Sequence, residues 1–311
     1  MLESLLPYFL LVLFLLALFI IWRNNARKYI SSSTVASAYD AWTQDKLLER
    51  LWGEHIHLGF YPAGKKNIDF RKAKIQFVHE LVKWSGLDTL PKGSRILDVG
   101  CGIGGSARIL AKYYGFNVTG ITISPAQVKR ARELTPLGLS CDFQVMDALD
   151  LKFEDGTFDA VWSVEAGAHM NDKNKFADEM LRTLRPGGYL ALADWNSRDL
   201  KRCPPTFIEK LVLKQLLEQW VHPNFISINE FSDILRTNKN SAGEVITDNW
   251  NYYTNPSWYD SIIEGIRRPF VIVSLGPLAI IKSLREIPTL LLMNWAFKKG
   301  LMEFGVFKCR G

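Results

Sequence analysis

The chain has 311 residues, of which 48% are hydrophobic and 23% charged, enough for one large domain with additions and outside the range of a disordered polypeptide. Four scattered cysteines (Cys101, Cys141, Cys203, Cys309), with neither a C-x-x-C nor a histidine pair at zinc spacing, argue against a disulfide scaffold and predict no metal site. The net charge of +6 sits wholly in residues 267–311, where eight Lys or Arg face Glu286 and Glu303, leaving the rest of the chain neutral.

In chain order, residues 5–22, LLPYFLLVLFLLALFIIW, form an uncharged run of eighteen, just long enough for a tilted membrane span. It lacks a basic leader and a small-residue cleavage site, so it reads as an uncleaved anchor rather than a signal peptide. Arg23, Arg27 and Lys28 follow it and place the remaining chain on the cytoplasmic side. Because the run ends well before any candidate site residue, residues 1–28 are expected to tether the protein without shaping its site. Residues 33–85 read as amphipathic helix, with Phe70, Ala73, Phe77, Leu81 and Trp84 on one face. The glycine- and histidine-bearing stretch LWGEHIHLGFYP interrupts it.

From Arg95 the pattern alternates. Ile96–Val99 is a short buried strand, followed by Gly100, Gly102, Gly104 and Gly105 and then a helical SARILAKYY. Strand, glycine turn and helix bring a backbone close to a ligand and aim helix N–H groups at it. Further strands are predicted at 117–123, 142–145, 158–164 and 189–193, with helices at 125–134, capped by Ser124, and 173–184. This is a doubly wound, mostly parallel α/β sheet that holds its ligand at the strands' carboxyl ends. Beyond Asp194 the alternation stops: residues 200–266 read as mixed helix rich in aromatics. The apolar runs 270–281 and 287–297, too short to span, make a basic interfacial tail, since their bases are interleaved with Leu, Ile, Phe and Trp. Such a tail suits a membrane surface and not nucleic acid.

Gly100, Gly102 and Gly105 fit a dinucleotide fingerprint, but the strand at 117–123 carries no acid for a ribose. Instead Asp98, Asp147 and the pair FDAVWS…LRPGG resemble the three motifs of class I S-adenosylmethionine-dependent methyltransferases. More specifically, WGEHIHLGFYP, ILDVGCGIGGSARILA, VTGITISPAQVKRA, VWSVEAGAHM and LRPGGYLALADWN resemble the tocopherol-pathway methyltransferases. The N-terminal anchor and KSLREIPTLLLMNWAF extend that resemblance over nearly the whole chain.

The resemblance implies a Rossmann-like fold, S-adenosylmethionine as cofactor and ring C-methylation of a prenylated benzoquinol with a phytyl or solanesyl tail. The quinol would be taken from a plasma or thylakoid membrane; a chromanol, sterol or other lipid is the alternative acceptor. It places Gly100, Gly102 and Gly104 under the methionine part of the cofactor, Asp98 behind them and Asp147-Ala148 at the adenine. Thr122, Ile123 and Gln127 become neutral partners where the ribose acid is missing. Tyr39 either closes over the cofactor or is a buried helix aromatic. The implied organisation is an anchor (1–28), a helical cap (29–92), the cofactor core (93–200) and a substrate and membrane-interface region (201–311).

A hydroquinone ring carbon is a weak nucleophile until a neighbouring hydroxyl loses its proton, so a general base is expected. His55, His57, Glu165 and His169 are the candidates; His79, on a helix, reads as structural and His222 has no role assigned. Loss of all these groups would instead mark a non-catalytic, cofactor-binding membrane protein.

Overall fold

The computed structural model describes residues 2–24, 26–62 and 68–311; Met1 and Asn25 of the anchor segment lie outside the described residues. Seven strands form one sheet: β1 (Arg95–Val99), β2 (Asn117–Thr122), β3 (Cys141–Val145), β4 (Phe158–Val164), β5 (Leu184–Ser197), β6 (Ala242–Asn249) and β7 (Met302–Arg310). Their order is β3-β2-β1-β4-β5-β7-β6. The first five run parallel, and β7 inserts antiparallel between β5 and β6.

Both sheet faces are covered, so neighbouring residues on one strand enter different cores. Ile96, Trp162 and Ala191 pack on one side, while Leu97, Val161 and Leu190 pack on the other. Before the sheet come α1 (Leu2–Asn24), α2 (Ser32–Asp45), α3 (Leu47–Trp52) and α4 (Phe70–Ser85). Within it lie α5 (Gly105–Tyr114), α6 (Pro125–Leu134) and α7 (Lys173–Arg182). After β5 follow α8 (Phe207–Gln219), α9 (Ile228–Thr237), α10 (Asn251–Thr254), α11 (Pro256–Arg267), α12 (Pro269–Ser274) and α13 (Pro277–Lys298). The expected α4 face is real: Phe70, Ala73, Phe77 and Leu81 are buried, with Trp84 at its rim. Ser124 caps α6 as predicted, its Oγ accepting from Gln127 N at 3.1 Å.

Three expectations change. First, residues 302–310 are not part of a peripheral tail but a central strand paired along its whole length with β5, from Tyr189 opposite Arg310 to Ser197 opposite Met302. The region after residue 200 therefore re-enters the core sheet. Second, the two short apolar runs are α12 and one continuous 22-residue helix, α13. Several bases counted as interfacial have internal partners. Lys282 pairs with Asp45 at 2.8 Å and Arg285 with Glu286 at 2.8 Å. Lys308 donates to Trp84 O at 2.7 Å, and Arg310 stacks on Tyr189.

Third, the base of α1 is built into the fold. Trp22 is buried and its Nε1 donates to Thr289 Oγ1 at 2.9 Å, while Arg27 pairs with Glu286 at 2.8 Å. A tether that left the site untouched would need neither contact. The described side chains of Leu6–Ala17 and Phe19–Ile21 are exposed and almost all apolar; Leu6–Asn24 is one helix, among the described residues, long and apolar enough to cross a membrane. A signal sequence has the same length and composition, so this much indicates membrane association only weakly.

Candidate functional site

A cavity of about 450 Å³ opens at the carboxyl ends of β1, β2 and β4. Its floor is the turn after β1, where Gly100, Gly102 and Gly104 take φ of 78°, 55° and 81°, a region costly for other residues. A Cβ on Gly100 would stand 2.3 Å from Ala166 Cβ, so that glycine lets the β1 and β4 loops touch. A Cβ on Gly102 would meet nothing nearer than Gln127 Nε2 at 4.0 Å, leaving a cradle that a ligand can fill. Gly104 departs from expectation: it is absent from the lining, and a Cβ there would strike the Phe143 ring at 2.6 Å. Its role is to pack the turn on β3.

Asp98 is buried beneath this turn, and its Oδ2 has no hydrogen-bond partner among the described residues. Burial pushes its carboxyl up to about 7. An orphaned buried acceptor costs about 1–3 kcal/mol, so the turn suits a ligand carrying donors or positive charge. Along the β2 wall Thr122 donates to Gln127 Oε1 at 2.6 Å, with Ile123 beside them. Asp147, which accepts from Leu149 N at 2.9 Å, and Ala148 complete that wall. S-adenosylmethionine fits this set: a neutral edge for its ribose, an acceptor at Asp147 for its adenine and an unmatched buried acid below its cationic end.

The roof is α2. Asp40 accepts from Ser124 Oγ at 2.5 Å and Ala126 N at 3.0 Å, fastening α2 across the start of α6. Tyr39, one residue earlier, lines the cavity and its hydroxyl lies 2.8 Å from His169 Nε2. His169 Nδ1 lies 3.3 Å from Val221 O, which only accepts, so Nδ1 carries the proton and Tyr39 donates to Nε2. Burial lowers the His169 imidazole to about 4 and keeps it neutral.

All four candidate bases line the cavity. His57 Nδ1 donates to Leu58 O at 2.8 Å; its Nε2 must then accept from His55 Nδ1 at 3.0 Å. Both nitrogens of His57 are thus engaged, and the couple's remaining lone pair is on His55 Nε2. Lys74, buried in α4, holds this stretch by donating to His55 O at 2.7 Å, and burial brings its amine down to about 7.

Glu165 follows β4 in a left-handed conformation, φ 53°, and its Oε1 accepts from Leu58 N at 2.6 Å. A non-glycine residue held there is strained, a state that persists where surrounding structure enforces it. Burial, with the Asp194 charge nearby, raises its carboxyl to about 8. Asp194 itself is pushed up to about 6 by burial, with Lys173 opposing.

The residue that sequence reasoning left unassigned is His222. It is buried, lines the same cavity and stacks on His169, with ring centroids 4.3 Å apart. Trp195 and Phe225 flank it at 5.3 and 5.0 Å. His79, by contrast, sits outside the cavity and pairs with Tyr114 at 2.8 Å, as a structural residue should. On the outer wall α13 contributes Ile280, Leu284, Ile287 and Leu290, and Arg27 reaches in from the base of α1. The result is a polar floor joined to an aromatic and aliphatic chamber.

Residues 97–192 match the family model described as a methyltransferase domain. Over 284 residues the chain is 56% identical to the 2-methyl-6-phytyl-1,4-hydroquinone methyltransferase of Synechocystis, covering 91% of this chain and 89% of that one. The chain belongs to the tocopherol-type methyltransferases. A chloroplastic tocopherol O-methyltransferase of Arabidopsis thaliana is 34% identical, over 85% of this chain and 78% of its own length. The structure of a cyclopropane synthase from Mycobacterium tuberculosis shares the fold, with a TM-score of 0.75 at 16% identity, covering 89% of this chain and 97% of that one. Structures of this fold hold S-adenosylhomocysteine or sinefungin. The chain is accordingly an S-adenosylmethionine-dependent methyltransferase with the class I Rossmann-like fold and a mixed seven-stranded sheet.

Proposed function

We propose that this enzyme transfers the methyl group of S-adenosylmethionine to a ring carbon of a prenylated hydroquinone of the 2-methyl-6-phytyl- or 2-methyl-6-solanesyl-1,4-benzoquinol type, in tocopherol and plastoquinone biosynthesis. The observation that carries this reading is the extent of the 56% identity. At 91% of the chain it reaches far beyond the cofactor core, into the segments that wall the acceptor chamber. The cofactor supplies an electrophilic methyl on a cationic sulfur. The chain's part is alignment: the β1 turn fixes one reactant and the aromatic chamber of Trp195, Trp220 and Trp258 the other. Buried neutral imidazoles then hold lone pairs ready for a hydroxyl proton.

A prenyl tail is nearly insoluble, and the chamber's α13 wall adjoins exposed apolar surface: Phe270 is 86% and Leu278 70% exposed. With α1 beside it, this supports entry of the acceptor from a bilayer. The basic residues Arg23, Arg27 and Lys28 after the apolar run support a catalytic domain on the cytoplasmic side, and the likeness to the Synechocystis enzyme supports a cyanobacterial plasma or thylakoid membrane. The full-length protein in detergent, given labelled S-adenosylmethionine and a panel of phytyl and solanesyl quinols, chromanols and sterols, should label the quinols at least tenfold faster. Preferential labelling of a chromanol or sterol would overturn the reading.

A further inference from the structure

The two stacked histidines form a cross-brace. His169 Nδ1 donates to the carbonyl of Val221, and His222 Nδ1 lies 3.3 Å from the carbonyl of Ala168, to which it must likewise donate. Each ring therefore binds the backbone next to the other, and both are fixed as Nδ1–H tautomers with lone pairs on Nε2. They differ at that atom: Tyr39 occupies His169 Nε2, whereas His222 Nε2 is buried and has no hydrogen-bond partner among the described residues. The other candidates are held elsewhere, although His55 keeps a lone pair at Nε2. His57 is engaged at both nitrogens, His55 is wedged against the glycine turn, where a Cβ on Gly105 would come within 2.8 Å of its Nδ1, and Glu165 braces Leu58 N. His222 lines the same cavity, with Trp195 and Phe225 packed on its ring at centroid distances of 5.3 and 5.0 Å.

We propose that His222 is the catalytic base: its Nε2 takes the proton of the acceptor ring's hydroxyl. This rests on the hydroquinone reading. The oxygen's electron pair then conjugates into the ring, and the nucleophilic ring carbon bonds to the methyl as the sulfur–methyl bond breaks, its pair remaining on sulfur. The ring carbon's own proton leaves to water and its pair restores aromaticity, while His222 returns its proton to the oxygen. One proton is released per methyl transferred. Burial, the His169 ring and the Lys173 charge disfavour the imidazolium, so the transferred proton is held only transiently; Tyr39, on His169 Nε2, and Asp194 are further titratable groups facing the brace.

His222→Asn tests this, because the shorter amide can still donate to Ala168 O but has nothing at the Nε2 position. Its kcat should fall at least 100-fold with S-adenosylhomocysteine affinity within threefold of native. Its rate should then climb about tenfold per pH unit toward the quinol's own pKa, where the acceptor ionises unaided, while the native rate stays nearly flat. A native-like kcat, or a loss equal at every pH, would overturn the assignment. Should the variant lose S-adenosylhomocysteine binding, ¹⁵N-imidazole spectra of the native enzyme decide. The His222 Nε2 signal should move on adding a quinol and not its dimethyl ether; equal response to both would refute the role. Native enzyme that ignores quinols but methylates another acceptor would sink the hydroquinone reading instead, a distinguishable result.

Discussion

Gly102→Val should cost roughly 100-fold in affinity for S-adenosylhomocysteine, about 2.7 kcal/mol, while Gly187→Val binds as the native protein does. Both glycines have positive φ, 55° and 75°, and a Cβ placed on either would stand no nearer than 4.0 Å to another protein atom. Backbone strain is therefore common to the pair, at about 1–2 kcal/mol each, and cancels in the comparison of binding. Only Gly102 borders the cavity. Gly100→Ala should behave differently again, since its Cβ meets Ala166 at 2.3 Å and the loss falls on thermal stability first. Calorimetric titration with parallel unfolding curves separates the three. Equal binding by Gly102→Val and native protein would mean that the cofactor lies elsewhere.

Affinity for S-adenosylmethionine should rise at least tenfold between pH 6 and pH 8, with S-adenosylhomocysteine changing less than threefold. Asp98 and Glu165 titrate near 7 and 8 because burial disfavours their anions, so the unliganded cavity is largely protonated at pH 6. A sulfonium favours the ionised acids, lowers their pKa on binding and releases protons. The binding constant thus increases with pH until the acids are already ionised, above about 8. The demethylated product lacks that positive charge. Isothermal titrations in buffers of different ionisation enthalpy read the released protons directly, and identical pH dependence for both ligands would show that neither acid faces the sulfur.

The sheet's first strands are legible in the sequence because each of β1 to β3 is a short strand-length run closed by a local signal: the glycine turn, Ser124-Pro125 and Asp147 respectively. The cavity floor follows from the same stretch, except at Gly104, whose close contact, Phe143, belongs to a strand 39 positions away. β7 escapes a sequence reading for a related reason. Its partners Tyr189 to Ser197 precede it by more than a hundred residues, and Lys308 and Arg310 read as tail charge until Trp84 and Tyr189 are seen beneath them. Nothing local marks His222, whose importance comes from Ala168 and His169 across the cavity. Similarly, Trp22 reads as the end of an apolar run and becomes structural only against Thr289.

The central claim, that one cavity aligns a methyl donor with a ring carbon of a prenylated hydroquinone, is tested most directly by the position of the transferred label. Full-length protein incubated with [methyl-¹³C]S-adenosylmethionine and 2-methyl-6-phytyl-1,4-hydroquinone should give a product whose new methyl resonates as an aryl-CH₃ and correlates with ring carbons. A label appearing as a methoxy group, or no labelled quinol while another lipid phenol is methylated, would contradict it.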